Sequence, residues 1–258
     1  MDRPGGRVVS GPTGPRFGRQ ADLYRKLRPD YPESVFERIA RACGEPRGVV
    51  VDLGAGSGQA TTRLLEYFDR VIAVEPDADM AAHIPASDRL EVRVQPAEAA
   101  VFDQPVDAMT AATSFHWMDA EAVCAMAKRS LRFGGVFAPF GYGPFDYGTE
   151  TAAGQVVTRE YAEVWRAYMD PRLVTWRSYA DIIRDTGLAT WVEPFDQVFE
   201  RNFSPEDAAG LMLTTSYATT VSRERPGYAE DFTRRVVEAA DGQPVTVRFD
   251  LMGAVARF

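Results

Sequence analysis

The sequence predicts an α/β fold with a largely parallel sheet, and three observations support this class. Short apolar runs alternate with helical stretches between residues 45 and 140, which is typical of consecutive βαβ units. A glycine-rich turn at 54–58 follows the first apolar run. Near the C-terminus, apolar and polar residues alternate from Val245 to Leu251, which predicts a β-ribbon that closes the sheet.

The elements of this core can be placed in chain order. Five strands are predicted, over Val49–Val51, Val71–Val74, Leu90–Val94, Val106–Ala112 and Gly135–Phe140. One helix follows the glycine turn to about Phe68, and another runs from a cap at Asp119 to just before Gly134. Residues 191–203 are typical of a further strand, and residues 204–240 of two or three helices.

The chain divides into four segments. Residues 1–19 contain five glycines and three prolines without apolar periodicity, and we expect them to form a flexible arm. Residues 20–44 carry a broken helical pattern, which the prolines of Arg28-Pro29-Asp30-Tyr31-Pro32 split into two lid helices. Residues 45–140 are the predicted α/β core. Residues 141–258 are predicted to supply cap helices and terminal strands that complete the sheet.

The composition disfavours several classes of protein. The 258 residues include 29 basic and 37 acidic side chains, and the net charge of −8 disfavours binding to nucleic acid. No apolar stretch approaches the ~18 residues of a membrane span, and two cysteines cannot form a disulfide framework. We therefore expect a location in the reducing cytoplasm. A monomer or a homodimer is the expected oligomeric state. The two histidines and two cysteines lack ligand spacing, so no metal site is predicted.

The strongest functional motif is VVVDLGAGSG at 49–58, a predicted strand followed by a glycine turn and a helix. Glycines at such a turn let the backbone approach a ligand closely. Glu75 stands at the end of the second predicted strand, where a carboxylate can accept hydrogen bonds from both hydroxyls of a ribose. The two features together predict a site for a cofactor that contains a nucleoside.

The glycine spacing distinguishes two kinds of cofactor. A dinucleotide fingerprint reads G-x-G-x-x-G, whereas this turn reads G-x-G-x-G and continues with Gln59. Asp52 precedes the turn, and its negative charge disfavours a pyrophosphate but suits a cofactor with an ammonium and a sulfonium group. A nicotinamide-dependent oxidoreductase is therefore the disfavoured alternative.

Over about residues 45–140, the sequence resembles the class I S-adenosylmethionine-dependent methyltransferases. The D-L-G-A-G-S-G turn matches their first motif, Glu75-Pro76 their second-strand acid, Ala97-Glu98 an adenine-contacting pair and Thr113-Ser114 the end of the fourth strand. The resemblance implies cofactor contacts from Asp52, Gly54, Ala55, Gly56, Glu75, Pro76, Ala97, Glu98, Thr113 and Ser114. It also implies a Rossmann-like sheet of seven strands, S-adenosyl-L-methionine as the cofactor and a mobile N-terminal segment that closes over it. For Glu98, stabilisation of a helix N-terminus is the alternative role.

The flanking segments resemble the branch that contains the trans-aconitate methyltransferases and many natural-product methyltransferases. This resemblance rests on Tyr24 with the 28–32 motif, on Phe115–Asp119 and on Thr215–Tyr217. It predicts that Tyr24 and Arg28 close on the cofactor, with the Arg28 guanidinium pairing its methionine carboxylate. Pairing of Arg28 with an acid of the N-terminal helix is the alternative.

His116 follows the predicted fourth strand, where an open sheet binds ligands. A neutral imidazole there acts either as a general base or as a group that shapes the pocket together with Trp117. Tyr142, Trp165 and Tyr217 are further candidates for the substrate pocket, although aromatic side chains at such spacings also suit a packed core.

The predicted function is S_N2 transfer of a methyl group from S-adenosylmethionine to a small molecule, in natural-product biosynthesis. The acceptor atom is left open among a carboxylate, a hydroxyl, an amine and a carbon. The alternative is a repurposed methyltransferase-fold protein that binds S-adenosylmethionine and catalyses a cyclisation or rearrangement, or supports a biosynthetic partner subunit.

Overall fold

A computed structural model describes residues 26–174 and 177–258 of the chain. The predictions for the arm at 1–19 and for Tyr24 lie outside the described residues. The helices are α1 (Glu33–Cys43), α2 (Gln59–Leu64), α3 (Ala78–Ala81), α4 (Ala120–Ser130), α5 (Ala152–Glu163), α6 (Pro171–Val174), α7 (Tyr179–Asp185), α8 (Pro205–Leu213), α9 (Ser216–Glu224) and α10 (Tyr228–Ala240). The strands are β1 (Val49–Leu53), β2 (Arg70–Val74), β3 (Leu90–Arg93), β4 (Val106–Ala112), β5 (Leu131–Tyr142), β6 (Trp191–Phe203) and β7 (Val245–Arg257).

The strands form one 7-stranded sheet in the order β3-β2-β1-β4-β5-β7-β6. Strands β1 to β5 run parallel to one another, whereas β7 runs antiparallel to both β5 and β6. The predicted Rossmann-like, mostly parallel sheet of seven strands is thereby confirmed. The strand order reverses between β1 and β4, and ligands of open α/β sheets bind beyond the carboxyl ends of the strands at such a point.

The apolar runs of the parallel strands are continuous because helices cover both faces of the sheet. Val50 and Val51 of β1 are both fully buried, and they belong to core clusters on opposite faces. The helix α2 is shorter than predicted, since it ends at Leu64 and a series of turns continues to Phe68.

Strand β5 begins earlier than the sequence predicts. The helix α4 starts after its Asp119 cap as expected but ends at Ser130, and Leu131 already pairs with β4. Arg132 explains the early start, because its Nε lies 2.5 Å from Oδ1 of Asp107 on β4, where the register between the two strands shifts. A Cβ at Gly135 would lie 2.9 Å from the Asp107 carbonyl oxygen, so the close approach of β5 to β4 requires glycine at this position.

The segment 141–258 serves two structural roles. The helices α5, α8, α9 and α10 pack together around the buried Trp165 and form the cap. In contrast, α7 packs against the opposite core cluster, where Tyr179 and Ile183 are buried with Phe115. One helix of the predicted cap segment therefore belongs to a helical layer of the core.

The 28–32 segment crosses the carboxyl edge of the sheet just before α1. Pro32 precedes the first residue of α1, in agreement with the predicted break in the helical pattern. Tyr142 at the end of β5 donates its hydroxyl to the carbonyl oxygens of Pro29 and Asp30, at 3.3 and 3.2 Å. The segment is thereby tied to the end of the sheet where ligands are expected.

Candidate active site

A cleft of about 960 Å³, including its open mouth, lies beyond the carboxyl ends of β1, β2 and β4. This is the position at which open α/β sheets bind ligands. Residues from the glycine turn, from the loops after β2, β3 and β4 and from the 28–32 segment line it. They are Tyr31, Gly54, Ala55, Gly56, Ser57, Gln59, Ala60, Glu75, Pro76, Asp77, Met80, Pro96, Ala97, Glu98, Ala112, Thr113, Ser114, Trp117 and Met118.

The turn after β1 needs glycine for two reasons. Gly54 and Gly56 have φ angles of 67° and 58°, in the left-handed region that disfavours other residues. A Cβ at Gly54 would lie 2.6 Å from the Cβ of Ser114, so the turn packs directly on the end of β4. The amides of Gly54 and Ala55 both donate to the carbonyl oxygen of Val74, which fixes the turn against β2.

Ser57 presents a polar atom that the described chain leaves unsatisfied. Ser57 is among the residues that line the cleft, and it is only 4% exposed. Within the described residues, its buried hydroxyl has no hydrogen-bond partner. Since buried hydroxyls are normally paired, this group is a candidate partner for a polar group bound in the adjacent cleft.

Glu75 at the end of β2 is held rigidly. Its Oε2 accepts a hydrogen bond from the amide of Gly56 at 2.8 Å, and its Oε1 accepts one from the amide of Asp77 at 2.9 Å. Burial raises the pKa of this carboxyl, and the two amides partly oppose that rise. A carboxylate has about four acceptor positions, so two remain for hydroxyl donors in the cleft.

Asp52 does not line the cleft, and the structure therefore gives no support for its predicted contact with the cofactor. Its side chain is fully buried behind the turn, with Oδ2 2.7 Å from the Thr61 hydroxyl and Oδ1 3.1 Å from the Thr110 hydroxyl. Burial raises the pKa of Asp52 to about 6, although both threonine hydroxyls lower it. The side chain joins β1, α2 and β4 and acts as a structural carboxyl.

Pro76, Ala97 and Glu98 all line the cleft, as the resemblance implies. Glu98 also has a structural contact, because its Oε1 accepts a hydrogen bond from the amide of Asp119 at 3.0 Å. Asp119 caps the N-terminus of α4. The alternative role predicted for Glu98, stabilisation of a helix N-terminus, therefore concerns α4.

Tyr31 lines the cleft together with the two predicted residues at the end of β4. The Tyr31 hydroxyl lies 2.8 Å from Oγ1 of Thr113, and the Ser114 hydroxyl donates to the carbonyl oxygen of Leu53 at 2.7 Å. Thr113 has a φ of 52°, an uncommon backbone for a β-branched residue. Tyr31 is not among the site residues predicted from the sequence, although an aromatic residue between two prolines was the available signal.

His116 lies beside the cleft rather than among its lining residues. Its Nδ1 is 3.0 Å from the hydroxyl of Tyr179, and its ring contacts Trp117 with 4.7 Å between centroids. Burial lowers the pKa of His116 to about 4, and the charges of Arg172 and Arg28 lower it further, whereas Asp170 raises it. The imidazole is neutral at pH 7 and a weak proton acceptor, which favours positioning over general-base catalysis.

Arg28 lies at the junction with the cap and does not line the cleft. Its Nε donates to the Thr214 hydroxyl at 2.9 Å, and its guanidinium lies 4.7 Å from the ring centroid of Phe145. These contacts give no support for the predicted pairing with a methionine carboxylate.

The four residues assigned to the substrate pocket separate in the structure. Trp117 lines the cleft. Tyr142 instead stacks beneath Tyr31, with 5.1 Å between ring centroids. Trp165 and Tyr217 pack on each other inside the cap at 5.7 Å, so they contribute to its core rather than to the cleft. The predicted lining role is therefore supported for Trp117 alone, because Tyr142 packs at the end of β5 and the cap segment turns Trp165 and Tyr217 inward.

Residues 26–174 and 177–258 hold no group of three or more His, Cys, Asp or Glu side chains arranged to bind a metal ion. No helix in these ranges has the length and apolar character needed to cross a membrane.

Comparison with known proteins identifies the domain. Residues 51–138 match the sequence model of a methyltransferase domain family. A candidate methyltransferase of Dictyostelium discoideum is 33% identical over 170 residues, which cover 62% of this chain and 64% of that protein. An uncharacterized methyltransferase of Mycobacterium tuberculosis is 34% identical over 123 residues, 46% of this chain and 49% of that protein. The matches thus span less than two thirds of both relatives.

A solved structure agrees with these matches. The chain is similar to a candidate type II methyltransferase from Anaeromyxobacter dehalogenans, with a TM-score of 0.71 and 26% identity over 89% of this chain and 97% of that one. These matches agree with a class I S-adenosylmethionine-dependent methyltransferase domain around residues 51–138, and they support the predicted class, enzyme type and cofactor. The trans-aconitate methyltransferase-like branch remains a prediction.

The cleft fits S-adenosylmethionine. Its volume of about 960 Å³ is in the range of small-molecule sites. The free acceptor positions of Glu75 suit the two hydroxyls of the ribose, and the unpartnered hydroxyl of Ser57 suits a polar group of the cofactor. Met80, Pro96 and Ala97 supply an apolar surface for a planar base.

Proposed function

We propose that this protein transfers a methyl group from S-adenosylmethionine to a small-molecule acceptor. The observation that carries the proposal is the juxtaposition of Glu75, Gly56 and the unpartnered hydroxyl of Ser57 at one cleft. A sulfonium cofactor supplies an electrophilic methyl group, so the protein's own contribution is to bind, orient and exclude water. Holding two reactants in line contributes up to about 7–11 kcal/mol to lowering the barrier.

The residues of the cleft have separable roles in this proposal. Glu75 holds the ribose, and the left-handed backbone at Gly54 and Gly56 leaves room for the rest of the cofactor. Tyr31 and Trp117 line the same cleft and are positioned to contact the acceptor. Tyr31 comes from the 28–32 segment, which supports its assignment as part of a cover over the cleft.

The neutral imidazole of His116 favours acceptors that need no strong base. A carboxylate is already ionised at pH 7, whereas an alcohol or a phenol must lose a proton during transfer. Among carboxylate, hydroxyl, amine and carbon acceptors, we therefore propose that carboxylates be tested first. Natural-product biosynthesis in the cytoplasm is the setting that we propose for the reaction, and extracts of a producing organism are a source of candidate acceptors.

Transfer of labelled methyl groups tests the proposal. The protein is incubated with S-adenosylmethionine that carries ¹³C in its methyl group and with panels of small carboxylates, phenols and amines. Mass spectrometry then searches for products that have gained one labelled methyl group. We expect such a product from the wild-type protein and from Gly187→Asp, a surface variant, but not from Gly56→Asp.

The outcomes separate the alternatives. Cofactor binding without a methylated product from any acceptor would favour the cyclase or partner-subunit alternative. Absence of cofactor binding would contradict the assignment of the cleft itself.

A further inference from the structure

His116 and Tyr179 form a buried pair next to the cleft. Nδ1 of His116 and the hydroxyl oxygen of Tyr179 are 3.0 Å apart, and the two ring planes are within 5° of parallel. Trp117, whose ring contacts the imidazole, lines the cleft. The pair thus connects a helix of the core to the wall of the cleft.

The position of the Tyr179 hydroxyl is tightly constrained. Tyr179 is the first residue of α7, is only 2% exposed and packs edge-on against Phe115 at 5.7 Å between centroids. A Cβ at Gly141 would lie 3.0 Å from this hydroxyl, so glycine on β5 makes room for it. A phenol held in this way cannot turn from the imidazole without repacking of the core.

The chemistry of the two groups decides which of them donates. A phenol is a stronger acid than a neutral imidazole N–H, and an imidazole nitrogen is a better acceptor than a phenol oxygen. Burial raises the pKa of Tyr179, so the phenol keeps its proton. The lowered pKa of His116 keeps the imidazole neutral, with Arg172 and Arg28 opposing its protonation and Asp170 favouring it.

We propose that Tyr179 is a positioning residue, which donates its hydroxyl hydrogen to Nδ1 of His116 and so keeps the imidazole proton on Nε2. Resting on the function proposed above, this leaves an N–H donor rather than a base at Nε2 of His116, beside Trp117 in the wall of the cleft. The same tautomer has no free lone pair on Nε2, which removes the general-base role at that atom.

Nitrogen NMR of the histidine rings tests the tautomer directly. The chain has two histidines, so two-bond ¹H–¹⁵N spectra of the labelled protein contain two ring systems, which a His83→Asn variant assigns. For His116 we expect a protonated Nε2 and an unprotonated Nδ1 throughout pH 6 to 8. A protonated Nδ1 in the wild-type protein would overturn the proposal.

Two variants test whether the Tyr179 hydroxyl sets the tautomer of His116. In Tyr179→Phe the donor is lost, and we expect the proton of His116 to distribute over both nitrogens. In Tyr67→Phe, which removes a hydroxyl that bonds Glu33 on the surface, we expect an unchanged His116 spectrum. If Tyr179→Phe folds and the proton still resides fully on Nε2, Tyr179 does not set the tautomer. The wild-type spectrum remains decisive if this variant does not fold.

These readouts need neither cofactor nor acceptor, so they are independent of the proposed function. If the His116 spectrum is as expected but no methyl transfer is detected, the proposed function is contradicted and the proposal for Tyr179 is not. Once an acceptor is known, we expect Tyr179→Phe to raise its KM about tenfold and to leave the affinity for S-adenosylhomocysteine unchanged.

Discussion

Oε2 of Glu75 lies 2.8 Å from the backbone nitrogen of Gly56, so the acid at the end of β2 and the glycine turn after β1 form one unit. The second oxygen, Oε1, accepts from the amide of Asp77 at 2.9 Å. The carboxylate is therefore oriented before any ligand arrives, and binding need not order it. Preorganisation of this kind increases affinity because less conformational freedom is lost on binding.

The first prediction concerns Glu75. In Glu75→Gln, one oxygen acceptor is replaced by an amide donor, which faces either a backbone amide or a ribose hydroxyl. We expect the affinity for S-adenosylhomocysteine to fall about 10- to 100-fold, since hydrogen bonds to a charged group contribute about 1.5–3 kcal/mol. Calorimetric titration measures the change. Glu91→Gln, on the edge strand β3, is the control and should bind as the wild type does.

The second prediction concerns the glycine turn. Gly56 has a φ of 58°, and among the described residues a Cβ there would meet Met80 alone, at 3.5 Å, so Gly56→Asp directs a carboxylate toward the cleft beside Glu75. We expect loss of measurable binding of S-adenosylhomocysteine. Gly187, with a φ of 65° and open space around its Cβ position, is the matched site. Both substitutions to Asp should cost about 1 kcal/mol of stability, but Gly187→Asp should retain full affinity. Equal affinities of the two variants would be incompatible with a cofactor at this turn.

The third prediction concerns the buried carboxyl of Asp52, whose pKa is raised from 3.8 to about 6 in the folded state. Between these values the folded protein binds more protons than the unfolded chain, so this group stabilises the fold less as the pH rises from 4 to 7. The difference amounts to about 2–3 kcal/mol. We therefore expect the stability of Asp52→Asn, relative to wild type, to increase from pH 4 to pH 7 in denaturant titrations. If the free energies of unfolding of the two proteins changed in parallel with pH, the pKa of Asp52 would not be raised in the folded state.

The fourth prediction separates the cap core from the cleft. Trp165 is fully buried, with Phe232 at 5.1 Å between ring centroids, so Trp165→Phe leaves a cavity inside the cap. We expect a loss of about 1–3 kcal/mol in stability and no change in affinity for S-adenosylhomocysteine. Trp117→Phe should have the opposite profile, with a small change in melting temperature and a higher KM for the acceptor. Weaker cofactor binding by Trp165→Phe would show that the cap core is coupled to the cleft.

Local patterns were sufficient to predict the sheet and much of the cleft. The parallel strands are short buried apolar runs, and the turn at Gly54 and Gly56 has the left-handed backbone for which glycine is the usual residue. Glu75 and Glu98 line the cleft because the carboxyl ends of parallel strands meet at one edge. These positions depend on the strand order alone.

Other features depend on tertiary contacts that the sequence does not reveal. Asp52 turns inward because the hydroxyls of Thr61 and Thr110 meet it, and one of these comes from another strand. Tyr31 enters the cleft because Tyr142 ties the carbonyls before it to the end of β5. The periodicity of apolar residues and the spacing of motifs do not reveal such long-range pairs.

Calorimetric titration of the wild-type protein tests the central claim most directly, since all assignments depend on S-adenosylmethionine as the ligand of the cleft. The protein is titrated in parallel with S-adenosylhomocysteine, S-adenosylmethionine and NAD. We predict saturable one-to-one binding of both sulfur compounds and no binding of NAD. Binding of NAD, or no heat from either sulfur compound, would contradict the account.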